Sequence, residues 1–309
     1  FGVNNESQVY LDVSHLPPEK LKKLQSILDI YEKFTGDNPA KVAMKIFPAV
    51  HYSMGGAWVD WPAADDPERF TRYRQMTNLA GCFNCGESDF LYHGANRLGA
   101  NSLLSCIFGG LVTAHEVERF CDVYASDSVP SSIFADALGI EEAKRTELFS
   151  RKGPENSFAL YDELSDWMVK YVTVKRNNED LKRVLVKIQE LRQRFKNITI
   201  ADTGRFANQS YIHACQFEPM LEIAHVITKC ALLRNESRGA HAKNECSMRD
   251  DAQWLKTSIA TWNPASQEPD ITYKPVDTRH IAPILRDYSK AEKVVPHFEN
   301  LPSEMPLPI

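Results

Sequence analysis

The sequence predicts an α/β region followed by an α region, with an extended segment closing the chain. Three observations predict this class. Short apolar runs separated by glycine-rich turns fill the stretch to about residue 126. Apolar residues then recur every three or four positions to about Glu236, the period of amphipathic helices. Beyond Arg249-Asp250-Asp251 the chain reads as extended, from Trp254 to Trp262 and again at Ile271-Thr-Tyr273.

The first element is an extended run, Val9-Tyr-Leu-Asp-Val13. Leu16-Pro-Pro-Glu-Lys then opens a helix, because proline suits the first turn, and Leu21, Leu24, Ile27/Leu28, Tyr31 and Phe34 supply a stripe that Gly36 can stop. Val42 to Val50 and Ala57 to Trp61 read as short strands around the Gly55-Gly56 turn, and Leu79 to Gly86 as a buried strand. A helix is expected from about Asn101 to Ala125. Composition changes near Asp127. The stripe Phe158, Tyr161, Leu164, Trp167/Met168, Tyr171 and the stripe Leu181, Val184/Leu185, Ile188, Leu191, Phe195 predict two antiparallel helices joined at Asn177-Asn178. A third runs from about Gln209 to Leu233, with Pro219 as a kink or second start. These stripes read as a helical bundle. The proline-rich end (Pro296, Pro302, Pro306, Pro308) reads as a surface tail.

Composition narrows the function classes. With 43% hydrophobic and 25% charged residues, the 309-residue chain can build a sizeable core. A net charge of -5 argues against nucleic acid as partner, and the charges from Glu179 to Arg194 are solvated helix faces. No apolar run approaches the roughly 20 residues of a membrane helix, so no direct membrane insertion is expected. Seven cysteines form no disulfide framework and suggest a reducing compartment. Cys82-x-x-Cys85 has metal or redox spacing but no second pair, so it reads as packing and no metal is expected.

The chemistry concentrates between His51 and Gly110. Glu87 follows an apolar run and a glycine, which places it at a strand's carboxyl end, where it can accept hydrogen bonds from sugar-like hydroxyls. The alternative is a solvated or ion-paired carboxylate. Gly94 and Gly99 allow close backbone approach, and Asn101-Ser102-Leu103 then opens an apolar helix whose first amides carry partial positive charge. Arg97 lies in that turn with a guanidinium suited to a carboxylate, and His51 beside Gly55-Gly56 can supply a second donor. A lone His or Arg is more often structural; two flanking a helix start suit a small dianion held against a cofactor.

Read together, these residues resemble the flavoprotein subunit of succinate dehydrogenase and fumarate reductase. His51-Tyr-Ser-Met-Gly-Gly-Ala-Trp-Val-Asp60 is similar to the family's substrate-side histidine strand, Cys85-Gly-Glu87 to its second flavin-contact strand, and His93 to Leu104 to its arginine motif. Glu236-Ser-Arg-Gly-Ala-His-Ala242 and Arg249-Asp-Asp-x-x-Trp254 resemble its C-terminal signature, and the likeness runs from Tyr10-Leu-Asp to Tyr288-Ser-Lys-Ala. The Met-Gly-Gly-Ala-Trp-Val-Asp wording is closer to the menaquinone-linked, di-haem-partnered branch. The related aspartate oxidases usually carry Cys where Met54 stands.

The resemblance implies FAD as cofactor, His51 and Arg97 on the carboxylates of succinate or fumarate, Glu87 on the ribityl side of the flavin, and Asn101, Ser102 and Leu103 at the flavin-facing helix start. It implies hydride transfer from substrate to FAD and electron exit through an iron–sulfur subunit. It also implies a membrane cytochrome b anchor and a peripheral place on the cytoplasmic face of the bacterial inner membrane. By the same resemblance, residues 1–40 end a capping region and return. Residues 41–126 are the C-terminal part of a doubly wound FAD-binding domain, 127–250 a helical bundle and 251–309 an extended segment.

Three parts of the family pattern cannot be placed on this chain. These are the Gly-x-Gly-x-x-Gly fingerprint, the histidine that links FAD, and the proton-shuttling arginine, expected upstream of Phe1. Asn84 and Cys85 also depart from the small alanines common before the Gly-Glu pair. The expectation is therefore the C-terminal half of a longer flavoprotein, inactive alone. The competing readings are a non-catalytic paralogue or assembly module on the same scaffold, and a related dicarboxylate enzyme such as L-aspartate oxidase.

Overall fold

The computed structural model describes residues 8–47, 51–63, 66–124, 129–279 and 282–284. The composition change at Asp127, Tyr288-Ser-Lys-Ala and the proline-rich tail lie outside them. The chain divides into two units, Phe1–His51 with Ile281–Ile309, and Tyr52–His280.

In the first unit, strand β1 (Val9–Leu11), helix α1 (Pro18–Thr35) and strand β2 (Met44–Ile46) follow one another. β1 and β2 pair antiparallel with Tyr10 opposite Lys45. The expected helix bounds hold: Pro18 sits in the first turn, and Gly36 caps the end at φ 81°, its amide donating to the Glu32 carbonyl at 2.8 Å. Leu28 packs with Val13 and Met44, while Phe34, expected on the same stripe, is 88% exposed. Of the strand expected over 42–50 only β2 forms, and residues 48–50 lie outside the described set.

The second unit carries six helices among its described residues. They are α2 (Asn101–Tyr124), α3 (Ser131–Ser150), α4 (Ser157–Met168), α5 (Asn178–Phe195), α6 (Gln209–Leu233) and the short α7 (Asp251–Trp254). A hairpin follows, β3 (Lys256–Asn263) with β4 (Glu268–Pro275), paired antiparallel along eight positions. The main core lies among α4, α5 and α6. Leu160, Leu181, Val184, Ile188, Leu191, Phe217 and Leu221 have no measurable exposure there. The α5 stripe is the predicted one. On α4 the core falls on Leu160 and Leu164, and Phe158 and Tyr161 are left 43% and 40% exposed. Asn177 caps α5, its side chain accepting the Asp180 amide, and a π-helical turn (Val169–Thr173) extends α4 toward it. α6 runs unbroken through Pro219.

Two expected strands do not form. Ala57–Trp61 makes only an isolated bridge from Ala57 to Asp89, and within Leu79–Gly86 only Phe83 bridges, to Met76. Gly81 and Gly86, both at positive φ (76° and 75°), bound too short a segment for a ladder, and Leu79 is 64% exposed rather than buried. Glu87 accordingly sits in a 3-10 turn (Gly86–Ser88), not at the end of a strand. The expected content of mixed helix and sheet with a separate helical region stands.

Candidate functional site

Single contacts hold the segments around this turn together. The Ala57 amide donates to the Ser88 carbonyl at 2.8 Å. A Cβ on Gly56 would lie 2.3 Å from that same oxygen, so no side chain fits there. Behind the turn, fully buried Gln75 donates its side-chain N–H groups to the Asn84 carbonyl at 2.9 Å and to Asp89 Oδ2 at 2.8 Å. Asp89 is 4% exposed and also accepts the Leu91 amide at 2.8 Å; burial pushes its carboxyl above the ordinary carboxylate range. On the far side α2 presses in at Gly109, where a Cβ would meet Cys85 Cβ and the Gly86 nitrogen at 3.1 Å.

The dipeptide Tyr52-Ser53 joins the expected site residues. The Ser53 amide donates to Glu87 Oε1 at 2.9 Å, and Oε2 has no partner among the described residues. The Arg97 guanidinium lies 5.6 Å from the Tyr52 ring centroid, within cation–π range, and donates to the Leu98 carbonyl at 3.0 Å. Tyr52 is buried, and its hydroxyl meets Ser105 Oγ at 3.0 Å. Ser105 Oγ donates to the Ser102 carbonyl at 2.7 Å and also meets His93 Nε2 at 3.1 Å. A serine hydroxyl has one proton and two lone pairs. With its proton on Ser102, Ser105 accepts from both Tyr52 and His93, which fixes His93 with its proton on Nε2. The His93 ring also meets Tyr52 edge-on at 5.0 Å.

Asn101, Ser102 and Leu103 open α2, the Asn101 amide donating to the Leu98 carbonyl at 3.3 Å after Ala100 at φ 66°. The amides of a helix's first turn have no partner within the helix. Leu103 is 74% exposed beside them. Glu87, Arg97 and the α2 start thus share one unit. His51 is exposed and belongs to the other unit.

Tyr52, His93, Ser105 and the Gln75–Asp89 pair were missed as site residues. The signal for Ser105 was present as a polar break in an apolar helix. Gln75 gave none, since it lies in an otherwise ordinary polar loop.

The second signature folds around one buried acid. Glu236, with no measurable exposure, pairs with Arg234 at 2.7 Å and Arg238 at 2.9 Å and accepts the Asp250 amide at 3.1 Å. Burial pushes its carboxyl up, but the hydrogen bonds from Arg238, the Asp250 amide and Arg234 outweigh this and hold it below its ordinary value. Arg238 continues to Asp251 at 2.5 Å, which also pairs with Arg249. Lys243, 2% exposed, donates to the Leu232 carbonyl at 2.7 Å and to Asn235 Oδ1 at 2.9 Å, capping the end of α6.

The chain is similar to known proteins along most of its length. A family profile described as FAD binding domain matches residues 2–103, and one described as fumarate reductase flavoprotein C-term matches 161–288. The succinate dehydrogenase flavoprotein subunit of Bacillus subtilis is 47% identical over 94% of this chain and 48% of its own length. The fumarate reductase flavoprotein subunit of Escherichia coli is 31% identical over 91% of this chain and 45% of its own. Among solved structures, E. coli quinol fumarate reductase superposes with a TM-score of 0.77 at 30% identity, over 92% of this chain and 47% of that one. The chain spans about half the length of the curated relatives it matches. The cofactor these matches indicate is FAD. The chain belongs to the succinate dehydrogenase and fumarate reductase flavoprotein family.

Proposed function

We propose that this chain supplies the dicarboxylate-binding half of a flavoprotein subunit that oxidises succinate to fumarate. The observation that carries the reading is the Tyr52-Ser53 junction, through which Arg97, Glu87 and the α2 start are tied in one unit. FAD, when bound, supplies the acceptor for the hydride that leaves the substrate. Arg97 takes one substrate carboxylate through its guanidinium fork, and His51 is proposed for the other on the sequence resemblance alone. Glu87 offers Oε2 to the ribityl hydroxyls while Ser53 holds Oε1. Asn101 opens the helix with its amide on the Leu98 carbonyl, and Ser102 and Leu103 present their amides and the partial positive charge of the helix start to the flavin ring. The unpartnered acceptor Oε2, the first-turn amide donors and the exposed Leu103 side chain are the polar groups and apolar edge that a flavin and its ribityl chain require, so these residues fit the group.

Residues 1–40 are proposed as the end of the capping region, 41–126 as the C-terminal part of the FAD-binding domain, 127–250 as the bundle and 251–309 as an extended segment. Turnover belongs to the full-length subunit, and the chain alone is proposed to be inactive. The electrons are proposed to pass to an iron–sulfur subunit, with a membrane cytochrome b anchor holding the assembly at the cytoplasmic face. Among the described residues no helix is long and apolar enough to cross a membrane, which accords with attachment through partners.

The test is Arg97→Ala in the full-length enzyme. Truncating one partner of a desolvated, hydrogen-bonded charge pair should lower succinate kcat/KM about 100-fold or more. Activity near wild type would sink the assignment. Assaying succinate against aspartate as electron donor separates this reading from an aspartate oxidase.

A further inference from the structure

The Ser237-Arg-Gly-Ala-His241 signature lies well outside the residues assigned to substrate and cofactor, yet it touches the arginine loop directly. Arg238 and His241 exchange backbone hydrogen bonds of 2.8 and 3.0 Å, closing a two-residue turn with Gly239 at φ 58°. At its tip the Ala240 amide donates to the Ala95 carbonyl at 2.9 Å. A Cβ on Gly239 would lie 2.3 Å from that oxygen, 2.6 Å from its carbon and 2.9 Å from Ala95 Cβ. Ala95 is two residues before Arg97. The turn itself is fixed from below: Arg238 by Glu236 and Asp251, and His241 by Arg176 and the Arg234 carbonyl.

We infer that the Gly239-Ala240 tip is a post that sets the position of the Arg97 loop, making Gly239 and Ala240 positioning residues for dicarboxylate binding. The inference rests on the proposed role of Arg97. Glycine serves here for two reasons: the left-handed φ, and a backbone approach that no Cβ permits. A side chain at 239 has to push the Ala95 carbonyl, and with it the loop, away from the bundle.

The experiment compares Gly239→Ala, Gly36→Ala and Arg97→Ala in the full-length, FAD-loaded enzyme, reading succinate KM, kcat and the inhibition constant of malonate, a dicarboxylate that does not react. Gly36 has a similar left-handed φ of 81° with nothing within 4 Å, so its substitution carries backbone strain without collision. Gly239→Ala should raise KM and weaken malonate between about 10- and 100-fold, with kcat changed less, as a misplaced binding group does. Gly36→Ala should leave both constants unchanged. A fall in Tm with unaltered KM and malonate affinity in Gly239→Ala overturns the inference, as does an equal loss in Gly36→Ala. If Arg97→Ala binds malonate normally, the parent reading is what fails, and this inference goes with it.

Hydrogen exchange of the wild type gives a measurement that needs no variant to fold. Malonate should slow exchange across 238–241 together with 93–98, and slowing confined to 93–98 would overturn the post.

Discussion

The imidazole of His241 accepts a guanidinium N–H from Arg176 on Nδ1 and gives its own Nε2 proton to the Arg234 carbonyl at 3.1 Å. Only the neutral ring can do both. Burial first, and the Arg176 charge second, push its pKa down to about 4, from an ordinary value near 6.5. Between these values the unfolded chain binds the extra proton and the folded one does not, so stability rises with pH across that window. The contribution is complete above about pH 6.5 and is lost as pH falls toward 4. Urea unfolding of wild type and His241→Gln at several pH values checks this. The difference between them should shrink by on the order of 2 kcal/mol from pH 7 to 4, the partial exposure of the ring screening part of the full effect. Identical pH dependence in both proteins would contradict it. The histidine is plain in the sequence as part of a motif, but its charge state is not, because Arg176 lies 65 residues away. The same holds for Tyr52, His93 and Ser105, which reach one another across the 51–105 segment. Glu87 and Arg97 stood out in the sequence because local glycines marked them, although Glu87 lies in a 3-10 turn and not at a strand end.

Among the elements, those whose stabilisation is local could be read and those that depend on distant partners could not. α1, α2, α5 and α6 fall on or within a residue or two of their expected bounds, since apolar period, caps and glycine stops are written within one helix. The segments 57–61 and 79–86 had strand-like composition, but their cross-segment backbone hydrogen bonds, to Ser88, Gln75, Met76 and Thr77, make only isolated bridges, so no ladder forms. On α4, aromatic residues drew the stripe toward Phe158 and Tyr161, whereas the face against α5 and α6 carries Leu160 and Leu164. The bundle core makes a direct prediction. Leu221 has no measurable exposure and lies one turn from Phe217 on α6. Leu221→Ala removes three buried carbons from close-packed surroundings and should cost about 2–5 kcal/mol, seen as a lowered urea midpoint at unchanged slope. A loss under about 1 kcal/mol would show that the three helices can collapse onto the gap.

At the scale of the whole chain, the helices outside that core tell against independent solubility. On α2, Leu103, Leu104, Ile107 and Leu111 are 61% to 74% exposed, and their three- and four-residue spacing puts them along one side. On α3, Ile133, Phe134, Leu138 and Ile140 are 54% to 66% exposed, and Leu148 is the buried residue of that helix. Soluble monomers rarely leave contiguous apolar patches of more than a few hundred Å² in water. A net charge of -5 over 309 residues gives little repulsion to oppose association through such faces. The exposure also fits the proposed role of Leu103, since a residue that lies against a flavin ring has to be uncovered in the absence of that ring. The 309-residue chain expressed alone should therefore self-associate in sedimentation velocity and bind a hydrophobic dye. The full-length subunit loaded with FAD should do neither. A monodisperse, cooperatively unfolding sample of the isolated chain would mean that α2 and α3 tolerate solvent, and the exposed faces would then need another explanation than contact with the rest of a longer flavoprotein.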